Sequence, residues 1–404
     1  MVELTDIIRH IDDSRLTQML IDAVDQYSPS YAEEPAMTVF ADLLAESGIP
    51  FQRQPVVERQ DPSTHGNLVI SIGPQPPHFL WVGHVDTVGF SDEEQDTRLD
   101  GDTLYGLGTA DMKGACAAAI EAVLAVVESG VKLARGLCVA LVVGEEEYGD
   151  GAQTLRALVQ SPLTVVGEPS GLQPCLDHYG YYECRLVAKG TQAHAALPEF
   201  GANAIHDMLA WMMEILDVAG GPDTPRGIVV NPREISGGAG GFVVADTCEA
   251  LLDVHTPPST GLEEIEELID QARERAQAKN RATDLQYEEL FWAPGFAAEL
   301  DSPLLRPVVD AFRVRGLEWT PGVFRSHSDA SQLQRDGALT MVCGPGRLEV
   351  AHTRHEHIEL AQVREAARLY AAMIYEACIR DRPDSVDRPD SADRTDGVNR
   401  SGRA

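Results

Sequence analysis

The sequence predicts an α/β fold: a mixed, mostly parallel sheet flanked by helices, with an inserted α+β unit. Three observations predict it. Short apolar runs alternate with helical patterns from about residue 14 to 176 and again from about 293 to 380. Leu137–Val143 is apolar without a break, as expected of a strand covered on both faces. From about Asp177 to Trp292 the strands become longer and alternate in polarity, which marks a second, smaller layer. A chain of 404 residues fits about two domains.

The elements follow in order. Helical spacing of apolar residues covers 14–25 and 34–47, and Leu68–Ile72 and Phe79–Val82 read as short buried strands bounded by Gly and Pro. A loop, GHVDTVGFSDEEQDTRLDGDTLYGLGTAD, runs up to an Ala-rich helix predicted over Met112–Ser129. The strand over 137–143, a helix over 152–159 and a strand over 163–166 complete the first α/β stretch. In the inserted unit, strands are expected at 181–189, 227–235, 249–255 and 285–291, with helices at 202–217 and 262–280. A helix at 302–315, a strand at 338–343 and a helix at 360–380 return to the first texture. The division is therefore 1–176 with 293–380, an insert at 177–292, and a tail at 381–404. The tail repeats a six-residue unit from Asp381, Asp387 and Asp393 and has almost nothing apolar, so disorder is expected there.

Composition excludes several function classes. The net charge is 32 − 64 = −32, which repels phosphate backbones and anionic lipid, so neither nucleic acid nor a membrane surface is an expected partner. Four lysines stand beside 28 arginines, and an acid-rich, lysine-poor surface suits concentrated salt, where self-repulsion is screened; an acidic protein of a GC-rich genome would look the same. Seven scattered cysteines contain no CxxC pair, which argues against a disulfide framework and a thiolate zinc site. With no apolar core in the first residues and no spanning run, a soluble, cytoplasmic protein is expected.

Five segments place acids or histidines after an apolar strand, where open α/β sheets build sites. His84-Val-Asp86 ends the strand at 79–82, and a ligating imidazole needs an acceptor on its second nitrogen. Asp111 precedes the Ala-rich helix, where an ordinary helix cap is the plainer explanation. Glu145-Glu146-Glu147 crowds three carboxylates, costly unless a cation relieves them or the loop is simply solvated. Glu168 follows the strand at 163–166, and His352, His355 and His357 follow Cys343-Gly-Pro-Gly. Together these offer oxygen and nitrogen donors without sulfur, suited to zinc, cobalt or manganese in a hydrolytic site.

In this order GHVDT, GxGTADMKG, GEEExGDG, VGEPS and CGPG–AH resemble the di-zinc amidohydrolase and metallopeptidase family of acetylornithine deacetylase, succinyl-diaminopimelate desuccinylase, aminoacylase and glutamate carboxypeptidase. The resemblance spans about residues 14–378 and implies a zinc-exopeptidase-like catalytic unit with a lid and dimerisation insert. It implies two divalent ions, zinc foremost with cobalt or manganese as alternatives. His84 and Glu168 would hold one ion, Glu147 and His352 the other, with Asp111 bridging and Asp86 orienting His84. Glu146 would be the general base, if the family's Asp-Glu-Glu aligns with Glu145 to Glu147; a register one residue earlier makes Glu145 the base. His194, in Gly190-Thr-Gln-Ala-His194, resembles the lid histidine that reaches across a homodimer to the partner's oxyanion.

Two departures bear on substrate. Phe242-Val-Val-Ala-Asp246 stands where the family has Asn-x-x-Pro-Asp, and Asp253-Val-His255 where many members have Asp-x-Arg. His255 is therefore a candidate substrate contact, and Arg325 and His327, just before Ser328-Asp329-Ala330, are candidate replacements for a carboxylate grip, although both could equally sit on a plain surface loop. The resemblance implies amide hydrolysis of an N-acyl amino acid such as acetylornithine. The alternative is a carboxypeptidase or dipeptidase, including one releasing lysine or ornithine from an acidic carrier protein, which the EEE and GEPSG segments also resemble. An inactive binding protein on the same fold is disfavoured, because every expected ligand type is present.

Overall fold

The computed structural model describes residues 3–56, 66–89, 97–221, 227–238, 240–279 and 283–380. The tail expected to be disordered, and residues 90–96 of the long loop, lie outside the described residues.

The N-terminal helix Asp13–Val24 starts where Asp12 accepts hydrogen bonds from the Ser14 and Arg15 amides. It buries Leu16, Met19, Leu20, Ala23 and Val24 against the helices Glu34–Glu46 and Gly114–Glu128. The last of these is buried from Gly114 to Val126, and its alanines let neighbours approach closely. One charged residue, Glu121, lies fully inside, and Arg15 closes on it at 2.8 Å.

The large sheet is mixed, with a parallel centre. Its order is Gln52–Pro55, Gly66–Ile72, Gly136–Val142, Pro77–His84, Leu163–Pro169, Leu339–Gly344, Cys175–His178 and Phe296–Ala297, with Gly322–Phe324 paired to Cys175–His178. Gly136–Val142, Pro77–His84, Leu163–Pro169 and Leu339–Gly344 run parallel to their neighbours in that group. All seven residues of Gly136–Val142 are buried, as the unbroken apolar run predicts. Gly344 lets its strand pass tightly beside the next one: a Cβ there would lie 1.8 Å from the Gly167 carbonyl oxygen, one residue before Glu168.

The chain leaves this sheet after His178 and rejoins it at Phe296. Between them lies a separate antiparallel sheet, ordered Val229–Gly237, Thr247–Thr256, Gly180–Lys189, Asp284–Ala293. Inward and outward residues alternate along Gly180–Lys189, and the helices Ala204–Ala219 and Leu262–Lys279 cover the inner face around Tyr182, Leu186, Trp211 and Ile269.

Two local expectations are corrected. The long loop contains strands Arg98–Asp100 and Thr103–Tyr105, which pair with each other and, through the second, with His357–Glu359. Three-residue strands are too short to leave a periodic signal. The Ala-rich helix begins at Gly114, not Met112, so Asp111 is no helix cap; it sits at φ −122°, ψ 91°, in the turn Thr109–Lys113.

Candidate metal centre

The site forms where the central strands end. His84 is the last residue of Pro77–His84. Its Nδ1 lies 3.0 Å from the Asp86 carbonyl oxygen and 3.6 Å from the Asp86 carboxylate, which leaves Nε2 facing inward. Nε2 lies 3.1 Å from Asp111, 3.8 Å from Glu168 and 4.0 Å from Glu145. Asp111 reaches the other way as well, its second oxygen 3.4 Å from His352 Nε2. His352 Nε2 is also 3.1 Å from Glu146. Two groups thus share Asp111: His84, Asp111 and Glu168 in one, Asp111, Glu146 and His352 in the other.

The Glu145-Glu146-Glu147 turn departs from the expected register. Asp86 accepts the Glu146 amide at 3.0 Å, the Glu145 amide at 3.2 Å and the Ser30 hydroxyl at 2.7 Å. That anchor turns the Glu145 and Glu146 side chains into the centre. The chain then folds back, with the Gly149 amide on the Gly144 carbonyl at 2.7 Å, and Glu147 is left exposed. Glu146, not Glu147, stands against His352, and Glu147 belongs to none of the described clusters.

The electrostatics are those of an acid cluster short of positive charge. Burial opposes charge on His84, yet bonds from Asp111 and Glu168 hold its pKa well above the ordinary value. Burial also opposes charge on His352, and Asp111 and Glu146 outweigh it, raising the group to about 11. Burial raises Glu145, Glu146 and Glu168, the last to about 7 with the Asp111 charge adding to it. Asp111 is lowered, its burial overcome by the two histidines. One oxygen of Glu168 is buried with no hydrogen-bond partner among the described residues. An orphaned carboxylate oxygen, convergent N and O donors and no sulfur fit divalent cations.

Two residues the motifs do not single out support the centre. Glu356, on a buried carboxylate, accepts the amides of Ala110 at 2.9 Å and Asp111 at 3.1 Å, and so holds the Asp111 turn. His327 Nδ1 lies 3.8 Å from Glu145. Glu356 stands four residues beyond His352, a spacing that could have flagged it; His327, expected as a possible substrate contact, lies instead beside Glu145.

The remaining candidates lie apart from the clusters. His194 is exposed on the insert, its Nδ1 accepting the Ala196 amide at 3.1 Å. His255 and Arg325 share an open cavity of about 520 Å³ with Ser170, Arg347 and Glu349, beside Pro169 and hence next to Glu168. Arg325 also lies 5.8 Å from the Tyr179 ring centre. His355 and His357 stay outside the clusters, His357 against the Tyr105 ring.

The sequence profile of peptidase family M20/M25/M40 matches residues 80–376. The chain is 26% identical over 374 residues to an acetylornithine deacetylase of Proteus mirabilis, covering 87% of this chain and 92% of the relative. It is 27% identical over 366 residues to that of Photorhabdus laumondii, covering 86% and 91%. Among solved structures, a tripeptidase of Staphylococcus aureus superposes with a TM-score of 0.75 at 18% identity, covering 91% of this chain and 99% of the other. Human carnosine dipeptidase 1 superposes with a TM-score of 0.71 at 16% identity, covering 93% and 99%.

Proposed function

The chain belongs to peptidase family M20/M25/M40, a hydrolase of amide or peptide bonds, and from that premise we propose that it is a di-metal deacylase acting on an N-acyl amino acid. The observation that carries this reading is the pair of ligand groups sharing Asp111, with a further carboxylate, Glu145, beside them in a third group with His84 and Glu146. His84, Asp111 and Glu168 would hold one divalent ion and Asp111, Glu146 and His352 the other, zinc by donor type, with cobalt or manganese as alternatives. Bound there, such ions would supply a lowered pKa for water and Lewis-acid polarisation of the scissile carbonyl.

The residues do the rest. Glu145 takes the proton from the attacking water and returns it to the leaving nitrogen. This moves the base from Glu146 and the second ligand from Glu147, in line with the turn geometry. Asp86 orients His84 and anchors the Glu145–Glu146 turn; Glu356 holds Asp111. His194 would supply an oxyanion donor to the partner site of a homodimer. The insert supports such a dimer with an exposed apolar stripe, Leu209, Met213 and Leu216, near the free edge strand Val229–Gly237.

Acetylornithine is the leading substrate, supported by the deacetylase relatives. The second reading is release of a carboxyl-terminal residue from a dipeptide or an acidic carrier-protein tail. It is favoured by the cavity beside Glu168, where Arg325 and Arg347 suit a carboxylate and His255 lies on the wall. We read residues 1–176 with 293–380 as the catalytic unit and 177–292 as lid and dimerisation unit. A cytoplasmic location is supported by seven free, buried cysteines; among the described residues no helix is long and apolar enough to cross a membrane.

The deciding experiment is hydrolysis in molar KCl with added zinc or cobalt. The panel contains N-acetylornithine, other N-acyl amino acids, succinyl-diaminopimelate, dipeptides and a carrier-tail peptide ending in lysine or ornithine. Preferred ornithine release supports the deacylase; cleavage of peptides alone overturns it in favour of the second reading.

A further inference from the structure

We propose that His327 is a positioning residue for the Glu145 carboxylate, an inference that rests on Glu145 being the general base. Glu145 is held by its amide, through Asp86, but its carboxylate receives no hydrogen bond among the described residues. The nearest ring nitrogens are His84 Nε2 at 4.0 Å, already bonded to Asp111 at 3.1 Å, and His327 Nδ1 at 3.8 Å. At 3.8 Å the second is a contact rather than a bond, the loose geometry common before substrate closes a site.

His327 is built to stay there. It follows the strand Gly322–Phe324 and precedes Ser328, the cap residue of helix Asp329–Leu333. Buried His178 fastens that cap, its Nε2 2.8 Å from the Ser328 hydroxyl, and itself stacks on Phe296 with ring centres 5.1 Å apart. The insert closes the other side: the His327 ring lies 5.5 Å from Phe291 at 90° and 5.8 Å from Tyr181. Its Nε2 is buried without a hydrogen-bond partner among the described residues, while its Nδ1 is the ring atom turned to Glu145. A neutral imidazole orients a carboxylate without the attraction a full cation would exert, and so leaves its proton affinity in place. His327 keeps its single ring proton throughout; the proton moved in the reaction stays with Glu145.

The test compares H327A, H327N and H327Q in the metal-loaded full chain, on the panel member cleaved fastest. Asparagine can place an amide N–H near the Nδ1 position, and glutamine cannot. H327A should lower kcat by about 10–100-fold with KM within about twofold, the lower end of what general acid–base positioning contributes. H327N should regain most of that loss and H327Q should not. An H327A enzyme with unchanged kcat overturns the inference, as does a change confined to KM. H327N as slow as H327Q overturns it too, and that contrast decides if H327A folds poorly. E145Q separates the two levels: its turnover surviving refutes the base, whereas E145Q inactive beside a fully active H327A refutes His327 alone.

Discussion

At the residue scale, the informative detail is which of three adjacent glutamates faces inward. Composition and spacing admit two registers; the turn decides, because Asp86 collects two successive amides and commits Glu145 and Glu146 to the centre. E145Q should therefore lose turnover by about 10²-fold or more while keeping its metal, and E147Q should retain near parental kcat. Turnover assays beside metal analysis check both, and an inactive E147Q would restore the original register. Glu356 offers a second test. E356A removes the acceptor for two buried amides at the Asp111 turn, so metal affinity should fall with kcat; an unchanged metal titration would count against that role.

At the element scale, the N-terminal helix is tied to the core through a charge. Arg15 covers fully buried Glu121, and R15L would leave that carboxylate buried without its cation, held by the Asp12 amide alone. A loss of about 3 kcal/mol in denaturant unfolding is expected. The Ser328 cap carries a pH dependence. Burial pushes His178 down to about 3, with the nearby His327 adding to the effect. Between that value and an unfolded value of about 6.5 the unfolded chain binds a proton that the folded one excludes, so this group's contribution falls as pH drops through that window. H178N should lose less Tm than the parent between pH 7.5 and pH 5, and equal losses would show that His178 does not titrate in this way. Insert elements such as Gly180–Lys189 and Leu262–Lys279 were readable because each buries one face. Short strands such as Arg98–Asp100 were not, since they exist through pairing with residues distant in sequence.

At the scale of the whole molecule, a net charge of −32 makes compaction self-repulsive. Raising KCl from about 0.1 M to 1 M shortens the Debye length from about 10 Å to about 3 Å, and Tm should rise accordingly. A Tm that falls over that range would remove the argument for a salt-adapted surface. The same acidity is concentrated at the centre, where a chelator should lower Tm by stripping the cations that relieve it.

The sequence by itself determined the fold class and the strand-end placement of His84 and Glu168. These follow from apolar periodicity and residue chemistry, both of which are local. The tertiary structure alone decided which glutamates turn inward, that Asp111 leaves the helix to face both histidines, that His327 stands against Glu145, and that Glu356 holds the Asp111 turn. Each of those depends on a backbone turn or on a neighbour far along the chain. His327 lies 182 residues from Glu145 (327 − 145 = 182), and nothing short of the folded packing brings them within 3.8 Å.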